Sequence, residues 1–321
     1  MLLEVKDLHV DFEGMRGRTE ALKNMHFSLE KGEILGIVGE SGSGKSITAL
    51  AILGLLEENA IISKGEIIYE GKNMLQLQKK VRQELRGKEI GMVFQEPMTA
   101  LHPTMKIGKQ LLHVMKRHRN LSHKEAKEAV LQALRDVHID EPELVAKSYP
   151  FELSGGMRQR IVIALAMAAP PNLLIADEPT TALDVTIQFE ILNLIKELNR
   201  KRGTSVLLIT HDLGVVSKVC DRTLVMYAGE IVESGKTKNI LTHPIHPYTQ
   251  SLLGALPDSV APNRPLKAIA GEAPNLLKRP KGCVFAARCH KAMDICKTEH
   301  PELTIKESNH QAACWLERTI V

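Results

Sequence analysis

Residues Ile34-Leu35-Gly36-Ile37-Val38-Gly39-Glu40-Ser41-Gly42-Ser43-Gly44-Lys45-Ser46 constrain the fold more than any other stretch. A short apolar run fit for a buried strand passes directly into G-x-x-x-x-G-K-S, and Lys45 to Leu56 then carries helical spacing. Strand, glycine-rich loop and helix in that order make a phosphate cradle. The glycines let backbone N–H groups wrap an anion, and the helix N-terminus adds positive potential. Lys45 is placed to reach the β- and γ-phosphates of a nucleoside triphosphate and Ser46 to ligate Mg²⁺, with Ile47 next on the helix.

A second glycine-rich turn, Leu153-Ser154-Gly155-Gly156-Met157, opens a run read as an amphipathic helix from Met157 to Ala169. It supplies another helix N-terminus ready for an anion. One nucleotide needs one cradle, so two of them point to a protein that works as a pair, each copy capping its partner's nucleotide. Further on, Leu173-Leu174-Ile175-Ala176-Asp177-Glu178 is an apolar strand ending in two carboxylates. Asp177 suits the Mg²⁺ shell and Glu178 the polarisation of a water attacking the γ-phosphate. The alternative, two carboxylates in a helix cap, is opposed by the apolar run and by Pro179, which fits a chain turning sharply away from a strand.

Around these segments the chain alternates. Val5–Phe12 and Ala21–Leu29 read as strands about a polar turn at Gly14–Arg18, followed by strands at Glu66–Tyr69 and Glu89–Phe94. Ile107–Lys116 and His123–Val137 are helical, the second started by Ser122 with Glu125 three residues on. Strand Asn172–Ala176, helix Thr186–Lys201, strand Ser205–Thr210, helix Leu213–Cys220 and strand Arg222–Tyr227 return to α/β. With aromatics at only 3%, the core is aliphatic, as parallel α/β layers require. After about Gly235 periodicity fades, and Pro244, Pro247, Pro257, Pro262, Pro265, Pro274 and Pro280 mark an appendage.

Neither a signal peptide nor an apolar run of ~18 residues is present, so a soluble, cytosolic chain is expected, with any membrane role passing through a partner. The formal charge of +4 comes without a basic run or aromatic-interleaved stripe, so no nucleic-acid partner is expected.

The order P-loop, Gln95, Leu-Ser-Gly-Gly-Met, Asp177-Glu178, Ala182-Leu183-Asp184 and His211 resembles the ATP-binding cassette of ABC transporters. Gln95 and His211 are bland alone and gain meaning from their places after strands. The resemblance implies a P-loop NTPase α/β fold: a RecA-like parallel core with N-terminal antiparallel strands (residues 1–95 and 170–235), an inserted helical subdomain (96–169) and a small C-terminal appendage (236–321). It further implies that Gln95 senses Mg²⁺ and the attacking water, that Asp184 crosses a dimer interface, that His211 contacts the γ-phosphate and that Phe12 stacks on adenine. Ser154 and the Gly155 and Gly156 amides would meet the partner's γ-phosphate. Met157 stands where the family usually has Gln, and Met cannot hydrogen-bond strongly.

His243-Pro244-Ile245-His246-Pro247-Tyr248-Thr249, followed by Leu252-Leu253, resembles the C-terminal signature of oligopeptide and dipeptide importer ATPases, shared by some nickel importers. The implied protein is a peripheral ATPase on the cytoplasmic face of the membrane. It would work with a second ABC subunit (a heterodimer, or a homodimer in isolation), two permeases and, indirectly, a solute-binding protein. Nickel import and a non-transport ABC ATPase remain the alternatives. Finally, Cys283, Cys289, Cys296 and Cys314 have the spacing C-x5-C-x6-C-x17-C, which matches neither zinc ribbons nor ferredoxin runs. Some peptide-importer ATPases carry a [4Fe–4S] cluster in this appendage, which favours iron–sulfur here over zinc or free thiols, and His290, His300 and His310 are near enough in sequence to replace a thiolate.

Overall fold

Glycines at both ends define the first helix, α1 (Lys45–Leu53): Gly44 and Gly54 take left-handed conformations at its two caps. α1 follows β3 (Ile34–Val38), whose five residues are all buried. The computed structural model describes residues 1–15, 17–181, 183–255, 269–307 and 309–316. Ala182 and the predicted appendage prolines Pro257, Pro262 and Pro265 lie outside the described residues.

The described chain forms two compact units. The first comprises Met1–Leu29, Ile34–Gln76 and Thr210–Val321. In it, β1 (Leu3–Gly14) pairs antiparallel with β2 (Gly17–Leu29) and with β4 (Ala60–Tyr69), which in turn pairs with β5 (Lys72–Asn73). Buried and less buried positions alternate along these strands, as expected where one sheet face is covered.

The second unit, Glu30–Glu33 with Leu77–Ile209, begins with α2 (Lys79–Leu85), β6 (Ile90–Val93), α3 (Pro97–Ala100), α4 (Ile107–His118), α5 (His123–Asp136) and α6 (Pro142–Val145). It continues through α7 (Gly155–Ala166), β7 (Leu173–Asp177), α8 (Val185–Arg202) and β8 (Ser205–Thr210). β7 pairs in parallel with both β6 and β8. Every residue of β7 and β8 is buried, and hence both read as unbroken apolar runs. The capping box expected at Ser122 and Glu125 is formed.

Back in the first unit come α9 (Leu213–Val219), β9 (Arg222–Tyr227), β10 (Glu230–Lys236), α10 (Thr237–Thr242), α11 (Pro247–Gly254), α12 (Asp294–Thr298), β11 (Thr304–Glu307) and β12 (His310–Ala312). Strand order here is β11-β12-β10-β9-β3, with β3 and β9 parallel.

Three expectations change. The strand predicted at Glu66–Tyr69 starts at Ala60, because β1 offers a longer edge than the local pattern reveals. The helix predicted from Met157 begins at Gly155 and is not amphipathic: Gln159, Ile161, Val162, Ile163 and Ala164 are all buried, since α7 packs among α3, α4, α5, α8 and β6. The tail, predicted to lose regular structure, adds strands and helices to the first unit, where β12 pairs with β10.

Candidate nucleotide site

The phosphate cradle is built where β3 ends. Lys45 is the first residue of α1 and 5% exposed; its ammonium donates to the carbonyls of Gly39 at 2.8 Å and Glu40 at 3.0 Å. Ser43 is buried, and its hydroxyl finds no hydrogen-bond partner among the described residues. Ser41, Gly42 and Ser46 are exposed and Ile47 half-buried. Two glycines are sterically required. A Cβ on Gly39 would lie 2.2 Å from the Met226 carbonyl oxygen. Gly44 has φ +100°, and a Cβ there would lie 2.6 Å from Leu22 Cδ2. Phe12 lies half-buried in β1, opposite Thr19 and Ala60.

Glu40 is also tied to residues outside the motif. Its N–H donates to the Tyr248 hydroxyl at 2.9 Å. Its carboxylate accepts two bonds from Arg288, at 2.7 and 3.1 Å. Neither Tyr248 nor Arg288 is singled out as a site residue by sequence, for Arg288 stands 248 positions from Glu40. Tyr248 was visible only as part of the His-Pro-Tyr segment.

In the second unit, β7 delivers Asp177 at its end, 6% exposed. Glu178 follows with φ +46°, a left-handed conformation that costs a side chain about 1–3 kcal/mol and clusters at functional sites. The Glu178 carboxylate accepts from Thr181 Oγ1 at 2.8 Å and from Gln95 Nε2 at 3.3 Å. The structure thereby brings together two residues predicted separately and adds Thr181. Gln95 is exposed two residues after β6 ends.

The remaining predicted residues occupy helix starts. Ser154 caps α7, accepting from the Met157 N–H at 3.3 Å, with Gly155 and Gly156 in the first turn. Asp184 caps α8, accepting from the Ile187 N–H at 3.0 Å. In the first unit, His211 is exposed ahead of α9, which Asp212 caps.

The four appendage cysteines come round one small pocket, shared with His246, Phe285 and Trp315. The Cys283 N–H donates to the Cys296 carbonyl at 2.8 Å. Burial pushes the Cys283 thiol up to about 12 and raises those of Cys289 and Cys314. The expected [4Fe–4S] ligand arrangement is not formed, however: among the described residues no group of three or more His, Cys, Asp or Glu side chains is arranged to hold a metal ion. Of the histidines offered as substitutes, His300 and His310 are engaged elsewhere, with Glu230 at 2.8 Å and with Glu233 at 2.7 Å. Among the described residues no helix is long and apolar enough to cross a membrane.

Comparison with known proteins agrees with this geometry. The ABC transporter family matches residues 22–181, and the oligopeptide/dipeptide transporter C-terminal region matches residues 232–296. The chain is 50% identical over 317 residues to the oligopeptide transport ATP-binding protein OppD of Bacillus subtilis (strain 168), covering 98% of this chain and 88% of the relative. It is 48% identical to the dipeptide transport ATP-binding protein DppD of the same organism, covering 98% and 95%. The probable D,D-dipeptide transport ATP-binding protein DdpD of Escherichia coli (strain K12) is 45% identical, with 98% and 96% covered. Among solved structures, the dimeric post-hydrolysis state of the ATP-binding cassette MJ0796 bound to ADP and Pi has a TM-score of 0.66 at 28% identity, covering 74% of this chain and 99% of that one.

Proposed function

The chain belongs to the ABC transporter family, among the ATP-binding proteins of oligopeptide and dipeptide transport, and on that premise we propose that it is the ATP-hydrolysing, energy-coupling subunit of a di- or oligopeptide importer. The observation that carries this reading is the complete cradle, with Lys45 tethered at the start of α1, in a chain whose β7 ends in Asp177 and a strained Glu178. Peptide is favoured over nickel by the match of residues 232–296 and by the peptide-transport relatives.

In the proposed mechanism, the amides of Ser41 to Ser46 hold the phosphates of ATP while Lys45 offsets their charge. Phe12 stacks on the adenine. Ser46, Asp177 and Gln95 would hold Mg²⁺, which would supply charge stabilisation when bound. Glu178 polarises the attacking water, Gln95 and Thr181 orient its carboxylate, and His211 contacts the γ-phosphate. Most of the catalysis is positioning and charge stabilisation. Ser154, Gly155, Gly156 and Asp184 act across a head-to-tail dimer, so each active site is split between two chains. The functional division expected from sequence, core 1–95 and 170–235, helical subdomain 96–169 and appendage 236–321, is kept as part of this proposal and differs from the two compact units of the fold. The partners are a second ABC ATPase subunit and two membrane permeases, with the protein held peripherally on the cytoplasmic face.

A [4Fe–4S] cluster held by Cys283, Cys289, Cys296 and Cys314 is kept as a further proposal on the soft donor set alone: all four thiols line one pocket, although they are not arranged there as a metal site. Anaerobic purification should give iron and a broad visible absorbance; a colourless or zinc-loaded protein would exclude the cluster. The transport reading is tested by affinity purification from membranes, where two permeases should co-purify. Recovery of ribosomal or DNA-bound partners alone would overturn it.

A further inference from the structure

Glu40 is held from two sides by residues the cradle motif does not contain. Arg288 is forked onto its carboxylate with a side chain only 6% exposed. The same guanidinium donates to the Tyr227 hydroxyl at 3.2 Å and to the carbonyls of Ala270 at 3.1 Å and Ile269 at 3.3 Å. A planar fork with this many acceptors has one orientation available, so it fixes the carboxylate it grips. Tyr248, fully buried, places its hydroxyl on the Glu40 N–H, and its ring packs against those of Tyr227 and Phe285, at 4.6 and 5.3 Å between centroids.

The held residue also supplies one of the two carbonyls that hold Lys45, and its N–H shares a peptide unit with the other, that of Gly39. Fixing the N–H and carboxylate of Glu40 therefore fixes the carbonyls on which the Lys45 ammonium rests. There is an electrostatic consequence as well. A carboxylate in the loop that receives a triphosphate would repel it, and the Arg288 charge at 2.7 Å cancels that field.

We propose that Arg288 and Tyr248 are positioning residues for ATP binding, acting through Glu40 to set the cradle's shape and charge before nucleotide arrives. The inference rests on the nucleotide reading above. Without the clamp, ATP must order the loop on binding and meets an uncancelled carboxylate, so affinity falls.

The test is titration of the full-length chain with a fluorescent ATP analogue and Mg²⁺, alongside melting of the nucleotide-free protein. Arg288→Met should weaken binding about tenfold, about 1.4 kcal/mol, and Tyr248→Phe by about threefold. Glu40→Gln, which breaks the fork without leaving an unpaired carboxylate, should lose less than Arg288→Met, and the Glu40→Gln/Arg288→Met double variant should be no worse than Arg288→Met, because both changes break one pair. Arg288→Lys, which keeps the charge and loses the fork, should fall between wild type and Arg288→Met. In the assembled transporter the loss should appear in KM for ATP more than in kcat, whereas a merely structural role would lower the melting temperature and leave affinity of the folded fraction alone. If Arg288→Met fails to fold, Arg288→Lys and Tyr248→Phe decide. Wild-type binding with variants within about twofold of it, or additive losses in the double variant, sinks the clamp alone. Absence of binding by the wild type sinks the nucleotide reading and the clamp with it.

Discussion

Replacing Gly39 with alanine tests how tightly the cradle is built. The added Cβ would stand 2.2 Å from the Met226 carbonyl oxygen and 2.8 Å from Ser43 Oγ, where real Cβ atoms keep at least 3.0 Å. The backbone oxygen cannot rotate away, so the loop and β9 must separate by roughly 0.8 Å, the gap between 2.2 and 3.0 Å. That opening falls beside the last pair of the β3–β9 ladder, Val38 with Val225, and strains the bond from the Gly229 N–H to the Ser43 carbonyl at 2.9 Å. Overpacking of this kind costs about 1–3 kcal/mol and a weakened hydrogen bond about 1 more. The sum, roughly 2–4 kcal/mol, corresponds to a melting temperature lower by roughly 4–16 °C. A displacement approaching 1 Å in a catalytic cradle can cost about 10²-fold in activity, so ATP hydrolysis should fall by that order in the assembled transporter. Gly254→Ala is the control. Nothing lies within 4 Å of a Cβ there and the position closes α11, so it should be neutral or stabilising by up to about 1 kcal/mol. Melting curves and ATPase assays read both variants. A Gly39→Ala protein that melts with the wild type and hydrolyses ATP normally would refute the packing argument.

Two further outcomes are expected. Glu178→Gln should lower turnover by about 10²–10⁴-fold while ATP-bound dimer accumulates on size-exclusion chromatography, and normal hydrolysis would exclude Glu178 as the base. His300 has its pKa raised, first by its hydrogen bond to Glu230, against burial and the Lys23 charge, while Arg279 shares the same carboxylate. Its stabilisation is therefore complete below the unfolded value of about 6.5 and is lost as pH rises through the higher folded value. The melting difference between wild type and His300→Gln should be larger at about pH 6 than at about pH 8.5; a gap that widens with pH would reverse the assignment.

Much of the site was legible because its parts are local. A cradle is a run of neighbouring amides, so G-x-x-x-x-G-K-S with its strand and helix is readable within a dozen residues. Asp177 and Glu178 are readable for the same reason, at the end of a strand whose burial on both faces leaves an unbroken apolar run. Helix starts with side-chain caps, such as Ser122, were equally plain. Longer-range features were not. α7 read as amphipathic because local spacing cannot report that neighbours cover it on every side. The four cysteines suggested a shared site, and they do share a pocket, but their arrangement depends on contacts such as that between the Cys283 and Cys296 backbones.

The sequence by itself determined the phosphate cradle, the alternation of strands and helices, and which residues are expected to bind Mg²⁺ and polarise water. Tertiary structure alone decided what Glu40 does. Within its motif it is one more cradle residue; in the fold its N–H belongs to Tyr248 and its carboxylate to Arg288. A hydrogen bond requires its partners within about 3 Å, and no local pattern records which distant side chains the chain will return to that spot.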